Sequence, residues 1–152
     1  MGKDDRSLRF LVDAMLGNLV SWLRILGYDT LYWDGDDDKL VERAIRENRI
    51  ILTKDRELYT YAKRTGLEAF LVNENDVKDI LSEISKNYRV CLDFDPKQTR
   101  CPICNGELKM NEIGSGKQWT CIVCGKHYWI GSHFRNISKT LEEAKKRTQS
   151  IR

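Results

Sequence analysis

The sequence predicts an α/β fold: a three-layer α/β/α domain around a parallel sheet, followed by a small four-cysteine zinc ribbon. Three observations carry this expectation. Short apolar runs suited to buried strands alternate with helical periodicity over residues 8–88. Two Cys-x-x-Cys pairs follow, separated by 16 residues. The charge balance also changes sign along the chain: residues 1–95 carry 15 Lys and Arg against 19 Asp and Glu, whereas residues 96–152 carry 11 against 4.

The elements follow in order. Arg9 to Val12 is too short for a helix and reads as a buried strand ending before Asp13. Leu16, Leu19, Val20, Leu23 and Leu26 then give a helical stripe, which Gly27 stops. Thr30 to Trp33 reads as a second strand, and Leu40, Val41, Ala44 and Ile45 as a second helical face. Arg49 to Thr53 is a third strand ending just before Asp55. Leu58 to Lys63 is a short helix, Glu68 to Val72 a fourth strand, and Asp76 to Ser85 a further helix. Strands joined through helices imply parallel pairing, because a helix is the usual crossover. The stretch from Cys91 to Pro96 lacks periodicity and reads as a linker. The division expected is therefore 8–90 for the sheet domain, 96–135 for the ribbon, and 136–152 for a C-terminal helix and tail. In that tail Thr140 and Glu143 have capping-box spacing, and the run from Glu142 to Arg147 suits a solvated or docking helix.

A chain of 152 residues with 41% hydrophobic and 32% charged content has room for one ordinary domain and a small appendage. It has no apolar run near the roughly 18 residues that mark a membrane span. Its start lacks the apolar core of a secretory signal, so a cytoplasmic location is expected. In that compartment five cysteines argue for metal or reactivity rather than a disulfide framework.

Cys101, Cys104, Cys121 and Cys124 match the spacing of a four-thiolate zinc site, each Cys-x-x-Cys turn aiming two sulfurs at one ion. Such a closed site makes the zinc structural, and so short a ribbon would draw much of its folding free energy from it. Two disulfides, a redox pair, or His127 in place of one cysteine are the competing readings. Gly106 and Gly125 suit the tight knuckle turns, and Cys91 is left over as a linker or core thiol.

Asp13 and Asp55 each end a strand of one parallel sheet, and ligands bind beyond the carboxyl ends of such strands. Asp38, at the start of the second helix, would rise from the same edge. Three converging carboxylates repel one another unless they share a cation, and magnesium or manganese prefers such oxygen ligands. Ions there could activate a water against a phosphodiester. Each aspartate could equally serve as a helix N-cap. The run Asp34-x-Asp36-x-Asp38 is no calcium loop, since Lys39 and Ile45 stand where glycine and glutamate are required.

The stretches Phe10-Leu-Val-Asp-Ala-Met-Leu-Gly17, Trp22-Leu-Arg-Ile-Leu-Gly-Tyr-Asp29, Asp38-Lys-Leu and Ile51-Leu-Thr-Lys-Asp-Arg56 resemble the Mut-seven C-terminal RNase domain family of PIN-like nucleases. Cys101-Pro-Ile-Cys-Asn-Gly-Glu-Leu108 and the segment from Cys124 to His133 extend the likeness over residues 9–141. The resemblance implies a PIN-like sheet and a magnesium- or manganese-dependent ribonuclease site, and it maps the acidic positions onto Asp13, Asp38 and Asp55. Asn18 stands where similar sequences carry a basic residue. For the fourth carboxylate such sites often add, the candidates are Glu74 and Asp76.

An acidic site does not itself attract a polyanion. Lys97, Arg100, Lys109, Lys117, Lys126 and Arg135 would supply that attraction, interleaved with Trp119, Tyr128, Trp129 and Phe134 for stacking on unpaired bases. The aromatics could instead form the ribbon core. Arg24 and Arg56 are candidate phosphate partners near the acidic site, with Arg24 equally a structural residue, and His133 either touches substrate or docks the two parts. The expectation is a metal-dependent ribonuclease acting on RNA, single-stranded by preference, with zinc in the ribbon and a protein partner or second copy possible. The alternatives are a catalytically inactive RNA- or protein-binding module and a DNA-directed nuclease.

Overall fold

Strands Arg9–Asp13 (β1), Asp29–Trp33 (β2), Ile50–Thr53 (β3) and Ala69–Leu71 (β4) form one sheet in the order β2-β1-β3-β4, with every neighbouring pair parallel. The chain is described by a computed structural model over residues 6–113 and 116–150; for residues 112, 113, 132, 133 and 150 the description covers the backbone alone. The helices are Gly17–Ile25 (α1), Asp37–Glu47 (α2), Arg56–Arg64 (α3), Val77–Tyr88 (α4) and Ser132–Ser150 (α5). A single 3-10 turn, Ala14–Leu16, joins β1 to α1.

The strands are apolar runs because both their faces are covered. Phe10 and Val12 of β1, with Ile50 and Leu52 of β3, share a core with Leu19 and Leu23 of α1 and Ile80, Leu81 and Ile84 of α4. Leu11 and Ile51 point the other way, against Leu40, Val41 and Ala44 of α2 and Leu58 and Ala62 of α3. Asn48 and Arg89, both left-handed at φ 55° and 59°, end α2 and α4. Gly27, at φ +98°, turns the chain from α1 into β2, and a Cβ there would meet Gln98 O at 2.9 Å.

The ribbon is a three-stranded antiparallel sheet of Leu108–Ile113 (β5), Gly116–Cys121 (β6) and His127–Trp129 (β7). The sequence predicts ribbon strands at Glu107 to Met110 and Gln118 to Thr120, joined by Gly114-Ser-Gly116, and none at β7; Gly114 and Ser115 lie outside the described residues. The tail also differs from expectation. Helix α5 begins at Ser132, so Thr140 and Glu143 lie within it and form no capping box. Its Leu141 and Ala144 are buried in the same core as α4. Lys78 pairs with Glu143 at 2.9 Å and Arg147 with Asp79 at 2.7 Å across the two helices. The linker likewise lies against the body. Cys91 N–H donates to the Tyr28 hydroxyl at 2.7 Å, and Val90 and Leu92 are buried. Among the described residues no helix is long and apolar enough to cross a membrane.

Candidate active site and metal centre

The strand order places a reversal between β1 and β3, since the chain leaves β1 toward β2 and returns to pair on the other side. Crevices at such a reversal, beyond the carboxyl ends of the strands, are where open parallel sheets bind ligands. Asp13 ends β1 there, and Asp55 follows β3 by two residues. Thr53 links them: its hydroxyl donates to Asp13 Oδ2 at 2.8 Å and accepts the Asp55 N–H at 2.9 Å.

Both aspartates also serve as caps. Asp13 Oδ1 accepts from Ala14 N–H at 2.8 Å. Asp55 Oδ1 accepts from the N–H groups of Glu57 and Leu58 at the start of α3. Capping and a site role are compatible, because each carboxylate oxygen accepts more than one bond.

Asp36, Asp37 and Asp38 stand at the start of helix α2. Its N-cap is Asp36, which accepts from Asp38 N–H at 3.3 Å, so Asp38 is not the cap. Asp38 Oδ1 instead accepts the Tyr61 hydroxyl of α3 at 2.6 Å, a bond that pushes the tyrosine pKa up. Asp37 is the residue that feels the other two. Burial and then the negative charges of Asp55, Asp13, Asp36 and Asp38 push its carboxyl above the ordinary aspartate range. Asp13, Asp37, Asp38 and Asp55 do not close into one ligating group: among the described residues only the ribbon cysteines place three or more donor atoms within 4.8 Å of one another. Among the described residues no ion pair joins Asp13, Asp37, Asp38 or Asp55 to a basic side chain. Arg56 is exposed in the first turn of α3, next to Asp55. Asp76 caps α4 through Lys78 N–H at 2.9 Å, and Glu74 is exposed.

The four ribbon cysteines bring their sulfurs within 4.8 Å of one another and, among the described residues, are the sole group of three or more ligating side chains to do so. The Cys101–Cys124 and Cys104–Cys121 sulfurs lie 3.7 and 3.4 Å apart. A zinc tetrahedron with bonds near 2.3 Å needs edges of about 3.8 Å, so the donor set fits zinc. His127 is not in the cluster; its Nδ1 lies 3.0 Å from the Thr120 hydroxyl. Burial opposes ionisation of Cys121, but the Cys124 and Val123 N–H groups outweigh it and hold the thiol down to about 6. The left-handed residues of the two knuckles are Asn105 and Gly125, at φ 70° and 81°. Gly106 is required for another reason: a Cβ there would meet Cys121 Sγ and Val123 Cγ2 at 2.9 Å.

The knuckle is tied to the sheet domain through buried Arg24. Its Nε donates to Thr30 O, and its Nη1 to Pro102 O and Ile103 O. With these donors committed, Arg24 sits as a pin between the two parts, in keeping with the structural role that the sequence expectation also allows. Asn105 completes the joint: its Oδ1 accepts from Thr30 N–H at 3.0 Å and its Nδ2 donates to Asp29 Oδ1 at 2.7 Å. Asp29 also pairs with buried Arg49 at 3.0 Å. Of the remaining expected contacts, Lys126 is exposed and Trp129 is 68% exposed, whereas Trp119 is buried. The His133 side chain lies outside the described residues.

Asp37, Thr53 and Tyr61, which the sequence expectation does not single out, lie among the strand-end aspartates.

A family model described as Mut7-C RNAse domain matches residues 8–115. No curated protein matches the chain. One similar solved structure is described as a domain of a functionally unknown protein from Methanocaldococcus jannaschii DSM 2661. It is 15% identical, covers 47% of this chain and 76% of its own, and has a TM-score of 0.30, too slight a likeness to bear on fold or function.

Proposed function

Because the chain belongs to the Mut7-C RNAse domain family, we propose that it is a divalent-metal-dependent ribonuclease of PIN-like layering that hydrolyses phosphodiester bonds of single-stranded RNA. The observation that carries this reading is the placement of Asp13 at the end of β1 and Asp55 just after β3, joined through the Thr53 hydroxyl at the reversal of the parallel sheet. Magnesium or manganese is the cofactor such oxygen donors suit. Asp13, Asp55 and Asp37 would hold it, with Asp38 beside them on Tyr61. Bound there, a divalent ion supplies Lewis acidity and lowers the pKa of a water. The chain's own residues do the positioning. Thr53 fixes the Asp13 carboxylate toward β3, the α3 N-terminus fixes Asp55, and exposed Arg56 is within the same first turn for a phosphate oxygen.

The domain reading is 8–90 for the nuclease, 96–135 for the ribbon and 136–152 for the terminal helix and tail. Zinc in the ribbon is structural, and the ribbon's basic and aromatic side chains, Lys126 and Trp129 among them, recruit the strand. A cytoplasmic location accompanies this reading. The experiment is cleavage of labelled single-stranded RNA by the zinc-loaded chain with added manganese. Asp13→Asn should remove cleavage while leaving circular dichroism unchanged. Equal trace activity from both proteins would reject the enzyme reading.

A further inference from the structure

We propose that the junction of linker, ribbon and α5 holds one nucleotide of a single RNA strand, its base in an aromatic pocket and its phosphate in an adjoining basic one. The inference rests on the reading of RNA as the substrate and gives that substrate a second binding place outside the aspartate cleft.

The first pocket has a volume of about 170 Å³ and is walled by Phe94, Trp119, Tyr128, Trp129 and Phe134. Phe94 anchors it, meeting Trp119 edge-on at 6.1 Å and Phe134 at 5.1 Å between ring centroids. These contacts and the Trp119 indole bond to Pro96 O at 2.9 Å set the buried rings in place. Trp129 differs, being 68% exposed, so its ring is not there to fill the ribbon core. The second pocket, about 290 Å³, is lined by Arg6, Lys97 and Arg100 against the one acid Glu107. The two share Thr99, Arg100 and Leu108 as lining.

An aromatic-walled pocket joined to one lined by three cations and one acid matches a nucleotide, whose π face and phosphate need those two surroundings. Three polar groups of the aromatic pocket are already engaged, the Trp119 N–H on Pro96, the Tyr128 hydroxyl with Cys101 and the Thr99 hydroxyl on Ile25 O, which leaves Arg100, shared with the basic pocket. With those edge-reading groups taken, the pocket recognises the face of a base rather than its identity. Binding should therefore tolerate any base but require one.

The test uses the full zinc-loaded chain carrying Asp13→Asn, without added divalent metal, and a fluorescein-labelled single-stranded decamer of uridine read by anisotropy. Trp129→Ala should weaken binding about tenfold. Lys97→Ala should reduce the slope of log affinity against log salt by about one. A decamer of abasic residues should bind the parent chain about tenfold more weakly than the uridine decamer does, a comparison within one protein that needs no folding control. Equal binding of both probes, or equal competition by duplex RNA, would overturn the inference. Cleavage by the wild-type chain is scored separately. A chain that cuts RNA yet binds it without regard to Trp129 keeps the ribonuclease reading and loses this one; the reverse result does the opposite.

Discussion

The Thr53 hydroxyl donates to Oδ2 of Asp13 at 2.8 Å, tying the carboxyl ends of β3 and β1 together where the strand order reverses. Thr53 is fully buried, so the bond is held in one geometry. Thr53→Val keeps the shape but leaves Asp13 without this donor and the Asp55 N–H without its acceptor. Stability should fall by about 1–2 kcal/mol. Turnover should fall further than RNA affinity, and a higher manganese concentration should be needed for half-maximal rate. Parallel denaturation and metal-titrated cleavage assays check both effects.

Asp37 and Asp38 are adjacent in sequence but differ in surroundings, and the two asparagine variants should separate them. Asp37→Asn should abolish cleavage, whereas Asp38→Asn should leave most of it. The stability change has a definite sign. The Asp37 pKa is raised in the folded state, so its cost is absent below the unfolded value of about 3.9 and complete above the folded one. Asp37→Asn should therefore raise Tm at neutral pH without divalent metal, and the gain should vanish near pH 3. A Tm lowered at pH 7 would contradict the crowding.

Asp29 shows the opposite shift. Burial would raise its pKa, but hydrogen bonds from Asn105 and Arg49 and the Arg49 charge more than offset this and hold it low. Its contribution is present above the unfolded value of about 3.9 and lost as pH falls through the folded pKa. Asp29→Asn should cost roughly 2 kcal/mol at pH 7. The difference from wild type should narrow as acid is added, which pH-stepped urea melts would reveal.

Zinc and Arg24 should prove coupled. Arg24→Met strips a buried donor from Thr30, Pro102 and Ile103 carbonyls, at a cost of roughly 2–4 kcal/mol. It should also speed zinc loss to a chromogenic chelator, because the first knuckle loses its seat. Chelation of the wild-type chain should lower Tm, and the Arg24→Met chain should lose less on chelation, its joint being already broken.

Legibility in the sequence followed from what each signal reports. The buried strands showed as apolar runs because β1 and β3 are covered on both faces, and the zinc ligands showed because their spacing is the chemistry. The Asp37–Asp38 choice was not legible. A helix turns by about 100° per residue, so neighbours on α2 face different partners, and that rotation is fixed by where Leu40 and Val41 bury. Arg24 was read two ways because its role depends on carbonyls 78 and 79 residues away. The start of α5 was missed although Phe134, Ile137, Leu141 and Ala144 share one face; charged residues around them dilute the periodicity.

Helix α5 lies beyond the ribbon in the chain yet finishes the core that α4 begins. On a ribosome, which delivers the polypeptide from its amino end, the sheet and its aspartates would emerge well before the side chains that seal the α4 surface. The exit of the ribbon, and with it the opportunity to load zinc, would fall in that interval. A nascent chain stalled before Leu141 would lack the Leu141 and Ala144 side chains that this core includes. Completion of the sheet domain's core is thus placed after the ribbon by the order of synthesis.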